Sequence, residues 1–473
     1  MAKEYDLVII GGGTGGYVAA IRASQLGLKT AIVEKGKLGG TCLHSGCIPS
    51  KALLRSAEVY ATMKHSADYG IVAHDISLDF TKVQERKDKI VTQLYRGVLH
   101  LMKQGKIDVY EGMGRILGPS IFSPLPGTIS VEMNNGEENE MLIPKNVIVA
   151  TGSRPRSLPG LEVDGEFVLS SDEALVMESL PSSVIIVGGG VIGIEWASML
   201  ADFGVQVTVL EYMDRIIPTE DHEISKEMQR LMKKKGVKIV TKAKVLPETV
   251  VKDNGVTISA EVKEESKSFT AEKLLVSVGR IANTEGMGIE NTEIQIEKGS
   301  IVTNEFYQTK ESHIYAIGDV IGGLQLAHVA SHEGITAVEH IVGLNPKPIN
   351  YQLVSKCIYS KPEAASVGLS EEEAKSNGHE IKTGKFSFKA IGKALVLGES
   401  DGFVKIVADK NTNDILGVHM IGPHVTDLIS EAALAKVLDA TPWEVGHTIH
   451  PHPTLSEAFA EAALAVDGKA IHS

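Results

Sequence analysis

Two of the three cysteines in this 473-residue chain, Cys42 and Cys47, lie five positions apart. Such a pair could belong to a metal site, a structural disulfide or a redox-active disulfide. A zinc site needs about four protein ligands, or three and a water. Only Cys357 and scattered histidines remain to complete one, so we expect no bound metal.

A structural disulfide between these two cysteines would close a short ring and tie no distant segments together. Residues i and i+5 lie about 140° apart around a regular helix, so the bond requires a locally distorted backbone. Strained, accessible disulfides are the labile ones. A helix is predicted from Ser50 to Tyr60, and Lys51 within it brings positive charge near Cys47, which favours a thiolate. We therefore interpret the two cysteines as a redox pair.

A thiol enzyme also needs a base. The segment from His450 to Glu457 reads His-Pro-His-Pro-Thr-Leu-Ser-Glu and offers two histidines. We favour His452, because Glu457 could orient its imidazole and support the protonated form. His450 is the alternative base, and a structural histidine in a proline-rich turn is the alternative to both.

A nucleotide-binding pattern precedes the cysteines. A predicted strand runs into the glycines of residues 11–16, followed by a helix and a second strand that ends at Glu34. In this pattern Gly11 permits a tight turn, Gly13 lets the backbone approach a pyrophosphate, and Gly16 allows close packing of helix on strand. Glu34 can accept hydrogen bonds from a ribose diol.

The same pattern recurs with Gly188, Gly190, Gly193 and Glu211. Both acids lie 23 residues after the first glycine (34 − 11 and 211 − 188), so we expect two bound dinucleotides. An acid at Glu211 favours NAD, because it repels a 2′-phosphate. A dithiol beside one dinucleotide, with NAD at the other, indicates electron transfer between them. Flavin exchanges electrons with both, so the first dinucleotide is interpreted as FAD.

Later strands suggest how these units are connected. Residues 146–150 lead into Thr151, Gly152 and Ser153, and residues 274–278 lead into Gly279, which indicates that the second unit is inserted into the first. Residues 314–317 lead into Asp319. A carboxylate at the carboxyl end of a parallel strand lies where ligands bind, and a helix N-cap is the alternative.

The composition limits the possible partners. The net charge of −13 argues against nucleic acid. No apolar run approaches the length of about 20 residues that a membrane helix needs, and the N-terminal segment lacks the features of an export signal. Three cysteines are typical of a reducing compartment. We expect a cytoplasmic protein that binds neither nucleic acid nor membrane.

The segment from Gly39 to Lys51 resembles the redox-active motif of the flavoprotein disulfide reductases. The segment from His452 to Glu457 is similar to the C-terminal motif of their dihydrolipoyl dehydrogenase branch. Residues 188–195, 278–280 and 316–319 also look like this family, so the resemblance spans essentially the whole chain. It implies an α/β fold with two Rossmann-like dinucleotide-binding domains in three layers, FAD first and an inserted NAD domain second, plus a C-terminal α+β dimerisation domain. The ranges are residues 1–154 (FAD), 155–280 (NAD), 281–348 (central, completing the FAD domain) and 349–473 (interface).

The resemblance implies that dihydrolipoyl groups of 2-oxo acid dehydrogenase complexes are reoxidised, with tightly but non-covalently bound FAD and NAD+ as the final acceptor. Cys42 would be the interchange thiol and Cys47 the thiol next to the flavin. It also implies a homodimer in which these cysteines face His452 and Glu457 of the partner subunit, and a lipoyl-bearing acyltransferase as the protein partner. Residues 44–45 and 322–328 look like the branched-chain form from Gram-positive bacteria. The alternative function is an NAD(H)-dependent flavoprotein reductase of another small disulfide.

Further site residues follow from the resemblance. Lys51 would stabilise charge at the flavin, with Glu195 as its ion-pair partner. The residues expected to bind FAD are Gly11, Gly13, Gly16, Glu34, Gly40, Thr41, Lys51, Gly114, Thr151, Gly152, Ser153, Asp319 and Ala327. Those expected to bind NAD are Gly188, Gly190, Gly193, Glu211, Val245 and Gly279.

Overall fold

A computed structural model describes residues 3–119 and 126–472. The strands in these residues are β1 (Lys3–Ile10), β2 (Thr30–Glu34), β3 (Asp108–Ile116), β4 (Ile129–Met133), β5 (Glu140–Val149), β6 (Ser153–Pro155), β7 (Val168–Leu169), β8 (Ser183–Val187), β9 (Gln206–Leu210), β10 (Lys238–Val240), β11 (Ala243–Lys252), β12 (Val256–Val262), β13 (Glu265–Ala271), β14 (Lys273–Val276), β15 (Arg280–Ala282), β16 (Ile296–Glu297), β17 (Ser300–Ile301), β18 (Ile314–Ala316), β19 (Lys356–Ile358), β20 (Glu363–Gly368), β21 (Ile381–Ser387), β22 (Phe403–Asp409) and β23 (Ile415–Gly422).

The α-helices are α1 (Thr14–Gln25), α2 (Gly40–His44), α3 (Cys47–Lys64), α4 (Phe80–Gln104), α5 (Ser171–Ala174), α6 (Val191–Asp202), α7 (His222–Lys234), α8 (Ala327–Ile341), α9 (Glu371–Ser376), α10 (Gly392–Leu397), α11 (Val425–Val437), α12 (Pro442–His447) and α13 (Glu457–Ala465). Short 3₁₀ helices cover Ser66–Tyr69, Ile289–Asn291, Gly318–Ile321, Tyr351–Leu353 and Phe388–Ala390.

The chain divides into two units, and the first contains residues 1–52, 82–156 and 280–349. Its central sheet is parallel in the order β3-β2-β1-β5-β18, and β4 joins β3 and β5 in antiparallel fashion. Alternate residues of β1 enter two separate core clusters. Leu7 and Ile9 pack in one and Val8 and Ile10 in the other. Because both faces are buried, the strand reads as a continuous apolar run.

The second unit contains residues 53–81, 157–279 and 350–473. Its first sheet is parallel in the order β10-β9-β8-β14-β7, followed by an antiparallel sheet of β11, β12 and β13. The last sheet is antiparallel in the order β19-β20-β23-β22-β21. Its buried residues share a core with helices α11 and α13, through side chains such as Ile429 and Phe459.

The two parallel sheets and the final antiparallel sheet with its helices confirm the predicted α/β class with a C-terminal α+β part. The four domain ranges derived from the sequence stay a prediction. Within the described residues, no helix is long and apolar enough to cross a membrane.

Candidate active site

The first glycine turn connects β1 to α1, and two of its glycines are required by the protein's own packing. Gly11 has φ +106°, and a Cβ added there would lie 2.2 Å from the carbonyl oxygen of Ala150. A Cβ on Gly16 would lie 1.9 Å from the carbonyl oxygen of Gly11. No side chain fits at these distances, so both positions need glycine to bring helix and strand together.

Gly13, the middle glycine of the fingerprint, has open space instead. The nearest heavy atom to a Cβ added there is the Cα of Gly40, at 4.0 Å. Gly13 is also the N-cap of α1, and no side chain caps the helix. Uncapped N–H groups at a helix N-terminus attract anions. The space in front of Gly13 therefore fits the pyrophosphate of a dinucleotide.

Glu34 closes this turn from the end of β2. Its two carboxylate oxygens accept hydrogen bonds from the N–H groups of Gly12 and Gly36, each at 2.6 Å. A carboxylate oxygen accepts more than one hydrogen bond, so Glu34 keeps acceptor capacity for a ribose diol. The structure thus adds a role that the sequence did not indicate, because Glu34 also holds the glycine turn.

Asp319 lies at the carboxyl end of β18, in the 3₁₀ helix Gly318–Ile321. The N-cap of that helix is Ile317, so the capping alternative for Asp319 does not hold. Its carboxylate accepts a hydrogen bond from the Ser153 hydroxyl. The Arg280 guanidinium donates to the Ser153 hydroxyl at 2.7 Å and to its carbonyl at 2.8 Å, and lies 3.9 Å from the Asp319 carboxylate.

Arg280 was missed as a site residue by the sequence reasoning, although the Gly-Arg pair after β14 was a usable signal. The other residues expected near FAD lie in the first unit as well. Thr151 donates from its hydroxyl to the Asn283 carbonyl at 2.8 Å, Gly114 lies in β3 against Val33, and Ala327 is the first residue of α8.

The second glycine turn, between β8 and α6, shows the same close backbone approaches and the same kind of carboxylate contact as the first. A Cβ on Gly188 would lie 2.4 Å from the Ser277 carbonyl oxygen, and a Cβ on Gly193 would lie 2.0 Å from that of Gly188. A Cβ on Gly190 would have no heavy atom within 4 Å. Glu211 accepts hydrogen bonds from the N–H groups of Gly189, at 2.5 Å, and Met213, at 2.6 Å. This turn also fits a dinucleotide at its middle glycine.

The remaining residues expected near NAD are more dispersed. Val245 lies in β11, opposite Ala260 of β12. Gly279 follows β14 and has φ +106°, with open space around an added Cβ. Glu195 is buried in α6, and its carboxylate accepts the N–H of Tyr359 at 2.9 Å. Its pairing with Lys51 stays a prediction.

The two cysteines lie on either side of a break between helices. Cys42 belongs to α2 and Cys47 is the first residue of α3, so the helix axis is interrupted at Ser45 and Gly46. A Cβ on Gly46 would lie 2.9 Å from the carbonyl oxygen of Thr41. The break provides the local distortion that an i, i+5 contact requires, and the two thiols are hydrogen-bonded to each other.

The residues just before the thiol pair pack directly against the first glycine turn. The N–H of Gly39 donates to the carbonyl of Gly12 at 2.7 Å, and a Cβ on Gly40 would lie 2.6 Å from the Cα of Gly13. The hydrogen bond with Cys47 and burial raise the pKa of the Cys42 thiol, while the positive charge of Lys51 acts in the opposite direction. Two thiols in contact do not ionise together easily, and the raised pKa favours the protonated form of Cys42.

His452 and Glu457, the first residue of α13, form a hydrogen-bonded pair. The ring Nδ1 of His452 lies 2.8 Å from a Glu457 carboxylate oxygen, and the N–H of Thr454 donates to the other oxygen at 2.8 Å. Burial acts to raise the pKa of Glu457, but the hydrogen bonds from His452 and Thr454 outweigh it and lower this pKa. The His452 side chain is 77% exposed, so Nε2 faces solvent in the single chain.

His450, the rival base, is placed differently. Its side chain is only 6% exposed, and its ring nitrogens contact the Glu431 carboxylate at 2.7 Å and the Thr448 carbonyl at 2.9 Å. Both nitrogens therefore face acceptors, whereas a general base needs one ring nitrogen directed at substrate. The geometry favours His452 as the base.

Within the described residues, no group of three or more His, Cys, Asp or Glu side chains is arranged to hold a metal ion.

Residues 5–334 match the pyridine nucleotide-disulphide oxidoreductase family, and residues 354–463 match the dimerisation domain of the same family. The chain therefore belongs to the pyridine nucleotide-disulphide oxidoreductases.

The chain is also similar over its full length to individual members of this family. The chain is 74% identical over 473 residues, the full length of both proteins, to a dihydrolipoyl dehydrogenase of Bacillus subtilis. It is 42% identical to a dihydrolipoyl dehydrogenase of Zymomonas mobilis, again over the full length of both. Among solved structures, LpdA from Mycobacterium tuberculosis is 26% identical with a TM-score of 0.88, covering 98% of this chain and 99% of that one.

Proposed function

We propose that this chain is a dihydrolipoyl dehydrogenase, which oxidises dihydrolipoyl groups to lipoyl groups and reduces NAD+ to NADH. Its cofactors are FAD and NAD+. The observation that carries the proposal is the contact between the Cys42 and Cys47 thiols, at a helix break that starts against the first glycine turn. The full-length similarity to dihydrolipoyl dehydrogenases supports this substrate over another small disulfide.

The thiol chemistry follows from the placement of the chain's own groups. In the disulfide form, His452 accepts a proton from one dihydrolipoyl thiol, and the resulting thiolate attacks the sulfur of Cys42. The Cys42–Cys47 bond breaks, a mixed disulfide forms, and Cys47 leaves as a thiolate. The second dihydrolipoyl thiol then displaces Cys42, which takes up a proton, and lipoyl disulfide is released. Two electrons now reside on the cysteine pair.

Glu457 prepares His452 for this role. Its hydrogen bond to Nδ1 selects the tautomer in which Nε2 is the acceptor, and its negative charge stabilises the imidazolium that forms. Lys51 favours negative charge on the cysteine pair.

The two glycine turns would hold the dinucleotides. Gly13 and the start of α1 would receive the pyrophosphate of FAD, Glu34 its ribose, and Asp319 its ribityl chain, while Gly190 and Glu211 would do the same for the pyrophosphate and ribose of NAD+. When bound at the first turn, FAD would supply the two-electron redox chemistry that links the dithiol to NAD+ at the second turn.

We further propose a homodimer, with His452 and Glu457 acting on the cysteine pair of the other copy. The His452 side chain is exposed in the single chain, and Ile449, three residues earlier, is 96% exposed. Other large apolar side chains of the same C-terminal part are exposed as well, and exposed apolar surface is typical of protein interfaces. These include Leu434, Val437, Leu438 and Trp443.

The physiological setting is also part of the proposal. The enzyme would serve a cytoplasmic 2-oxo acid dehydrogenase complex, the branched-chain form in particular, and receive its substrate from the lipoyl-bearing acyltransferase.

The test is steady-state NADH formation from dihydrolipoamide by the purified holoenzyme, with FAD content measured on the same sample. We expect turnover with NAD+, and loss of turnover in Cys42→Ser and Cys47→Ser while FAD is retained. Cys357→Ser is the matched control, since its half-buried side chain packs on the core of the last sheet. Activity of the wild type with NADH and a different small disulfide, but none with dihydrolipoamide, would replace the proposed substrate.

A further inference from the structure

The loop from Glu211 to Asp221, between β9 and α7, covers the second glycine turn and holds the peptide groups of Gly189. The N–H of Gly189 donates to the Glu211 carboxylate at 2.5 Å. Its carbonyl accepts the N–H of Ile217 at 2.8 Å. A Cβ on Gly189 would lie 2.9 Å from the Ile216 side chain. The conformation of this loop therefore determines the orientation of the Gly189 peptide groups in the glycine turn.

The first unit makes the same two hydrogen bonds with a different donor. The N–H of Gly12 donates to Glu34 at 2.6 Å, and the carbonyl of Gly12 accepts the N–H of Gly39 at 2.7 Å. Gly39 has φ +109°, which glycine adopts freely. In the second unit the donor is Ile217, with φ +40°. A β-branched residue at positive φ is strained and persists only where its surroundings impose it.

The end of the same loop is hydrogen-bonded to the last antiparallel sheet. Four residues beyond Ile217, the side chain of Asp221 is 1% exposed and accepts hydrogen bonds from the Lys405 ammonium at 3.1 and 3.0 Å. Lys405 lies in β22, is 3% exposed, and also bonds Glu371 at 2.8 Å.

A second contact fixes the neighbouring residue of the loop. The carboxylate of Glu220 accepts the hydroxyl of Ser366, from β20, at 2.6 Å. Inside the loop, the N–H of Glu220 donates to the carbonyl of Ile217 at 3.0 Å. The sheet thus holds the loop at two adjacent residues, and one of these is bonded directly to Ile217.

We propose that Lys405, Asp221, Ser366 and Glu220 are positioning residues for NAD+. They anchor the loop so that Ile217 keeps its left-handed backbone and Gly189 its orientation, although none of them touches the coenzyme. The inference rests on the proposed binding of NAD+ at the second glycine turn, and it assigns part of the coenzyme affinity to the C-terminal sheet.

The test compares two variants of the holoenzyme. Lys405→Met with Asp221→Asn removes the buried charges together, and Asn preserves the N-cap of α7. Ser366→Ala removes a single hydrogen bond and leaves the core packing in place. We expect the Kd for NADH, measured by its fluorescence, and the KM for NAD+ to rise about tenfold in the double variant and about threefold in Ser366→Ala. The FAD content and the kcat at saturating NAD+ should stay within about twofold of wild type.

The control is Lys382→Met. Lys382 lies in β21 of the same sheet, and its ion pair at 2.6 Å is with Asp467, which is outside the loop. This variant should leave the NADH Kd unchanged. An unchanged NADH Kd in Ser366→Ala and in a folded double variant overturns the proposal, and Ser366→Ala decides alone if the double variant does not fold. A wild type that binds NADH but does not oxidise dihydrolipoamide would refute the proposed reaction and leave this binding test intact.

Discussion

Replacing Gly190 by alanine should affect coenzyme binding much more than it affects the stability of the fold. An added Cβ has no heavy atom within 4 Å, and the backbone, with φ −73° and ψ −173°, suits alanine. Alanine is a poorer N-cap than glycine by roughly 0.5–1 kcal/mol. It also lowers the conformational entropy of the unfolded chain, which stabilises the folded protein by about 0.4–1 kcal/mol. The free energy of unfolding should therefore change by less than about 1 kcal/mol.

Coenzyme binding should respond very differently. If the pyrophosphate approaches the backbone at Gly190, the new methyl group occupies ligand space. Forcing a methyl group into a packed site costs about 1–3 kcal/mol, which corresponds to roughly 5- to 150-fold weaker NADH binding. Thermal unfolding and an NADH fluorescence titration on the same preparation measure both quantities, and FAD content should stay that of the wild type.

Two matched variants complete the experiment. Gly13→Ala, with its nearest neighbour at 4.0 Å, should lower FAD content while NADH binding survives. Gly193→Ala places a Cβ 2.0 Å from a backbone oxygen, so it should lose both stability and NADH affinity. A folded Gly190→Ala variant that binds NADH within twofold of wild type would refute the placement of the pyrophosphate.

Three further changes test other parts of the structure. His452→Gln should lower kcat by about 10²–10⁴-fold, whereas His450→Gln should mainly lower the melting temperature; equal losses of kcat would show that the geometry misidentifies the base. In Gly46→Ala the added Cβ would lie 2.9 Å from a backbone oxygen. The variant should therefore destabilise the α2–α3 junction by about 1–3 kcal/mol and slow reoxidation of the cysteine pair in a thiol assay. Unchanged reoxidation would contradict this. Burial acts to raise the pKa of Asp164, but an ion pair with Lys252 and three backbone N–H groups lower it to about 2. Its stabilisation is complete above about pH 4 and is lost as the pH falls toward about 2. The melting temperature of Asp164→Asn should therefore lie below that of wild type near neutral pH and converge with it in acid, and a difference independent of pH would contradict this.

Much of the fold could be predicted because its signals are local. Each glycine turn sits between a buried strand and a helix, and alternate residues of β1 enter opposite core clusters, which explains the apolar run before Gly11. The family relationship implied by the motifs is confirmed. The roles of the individual site residues, and the domain ranges, remain predictions.

Other features could not be predicted, because they depend on residues distant in sequence. Ser153 bonds Arg280, 127 residues further along the chain, and Asp319, 166 residues further along. The choice between His450 and His452 needed the contact of His450 with Glu431 and the exposure of each ring, which is 6% for the His450 side chain and 77% for that of His452.

The sequence by itself determined the chemistry: a cysteine pair five residues apart, two glycine fingerprints each closed by an acid, and a C-terminal His–Glu pair. These depend on residue types at short spacings, which the backbone geometry of a turn or a helix converts directly into position. Only the tertiary structure decided which atoms those groups engage, including the hydrogen bonds that Glu34 and Glu211 accept from the N–H groups of Gly12 and Gly189. It also decided that Ile217, at φ +40°, lies in a loop whose residues Glu220 and Asp221 bond Ser366 and Lys405, 146 and 184 residues further along the chain. Such a conformation carries no sequence signature, because packing imposes it against the residue's own preference.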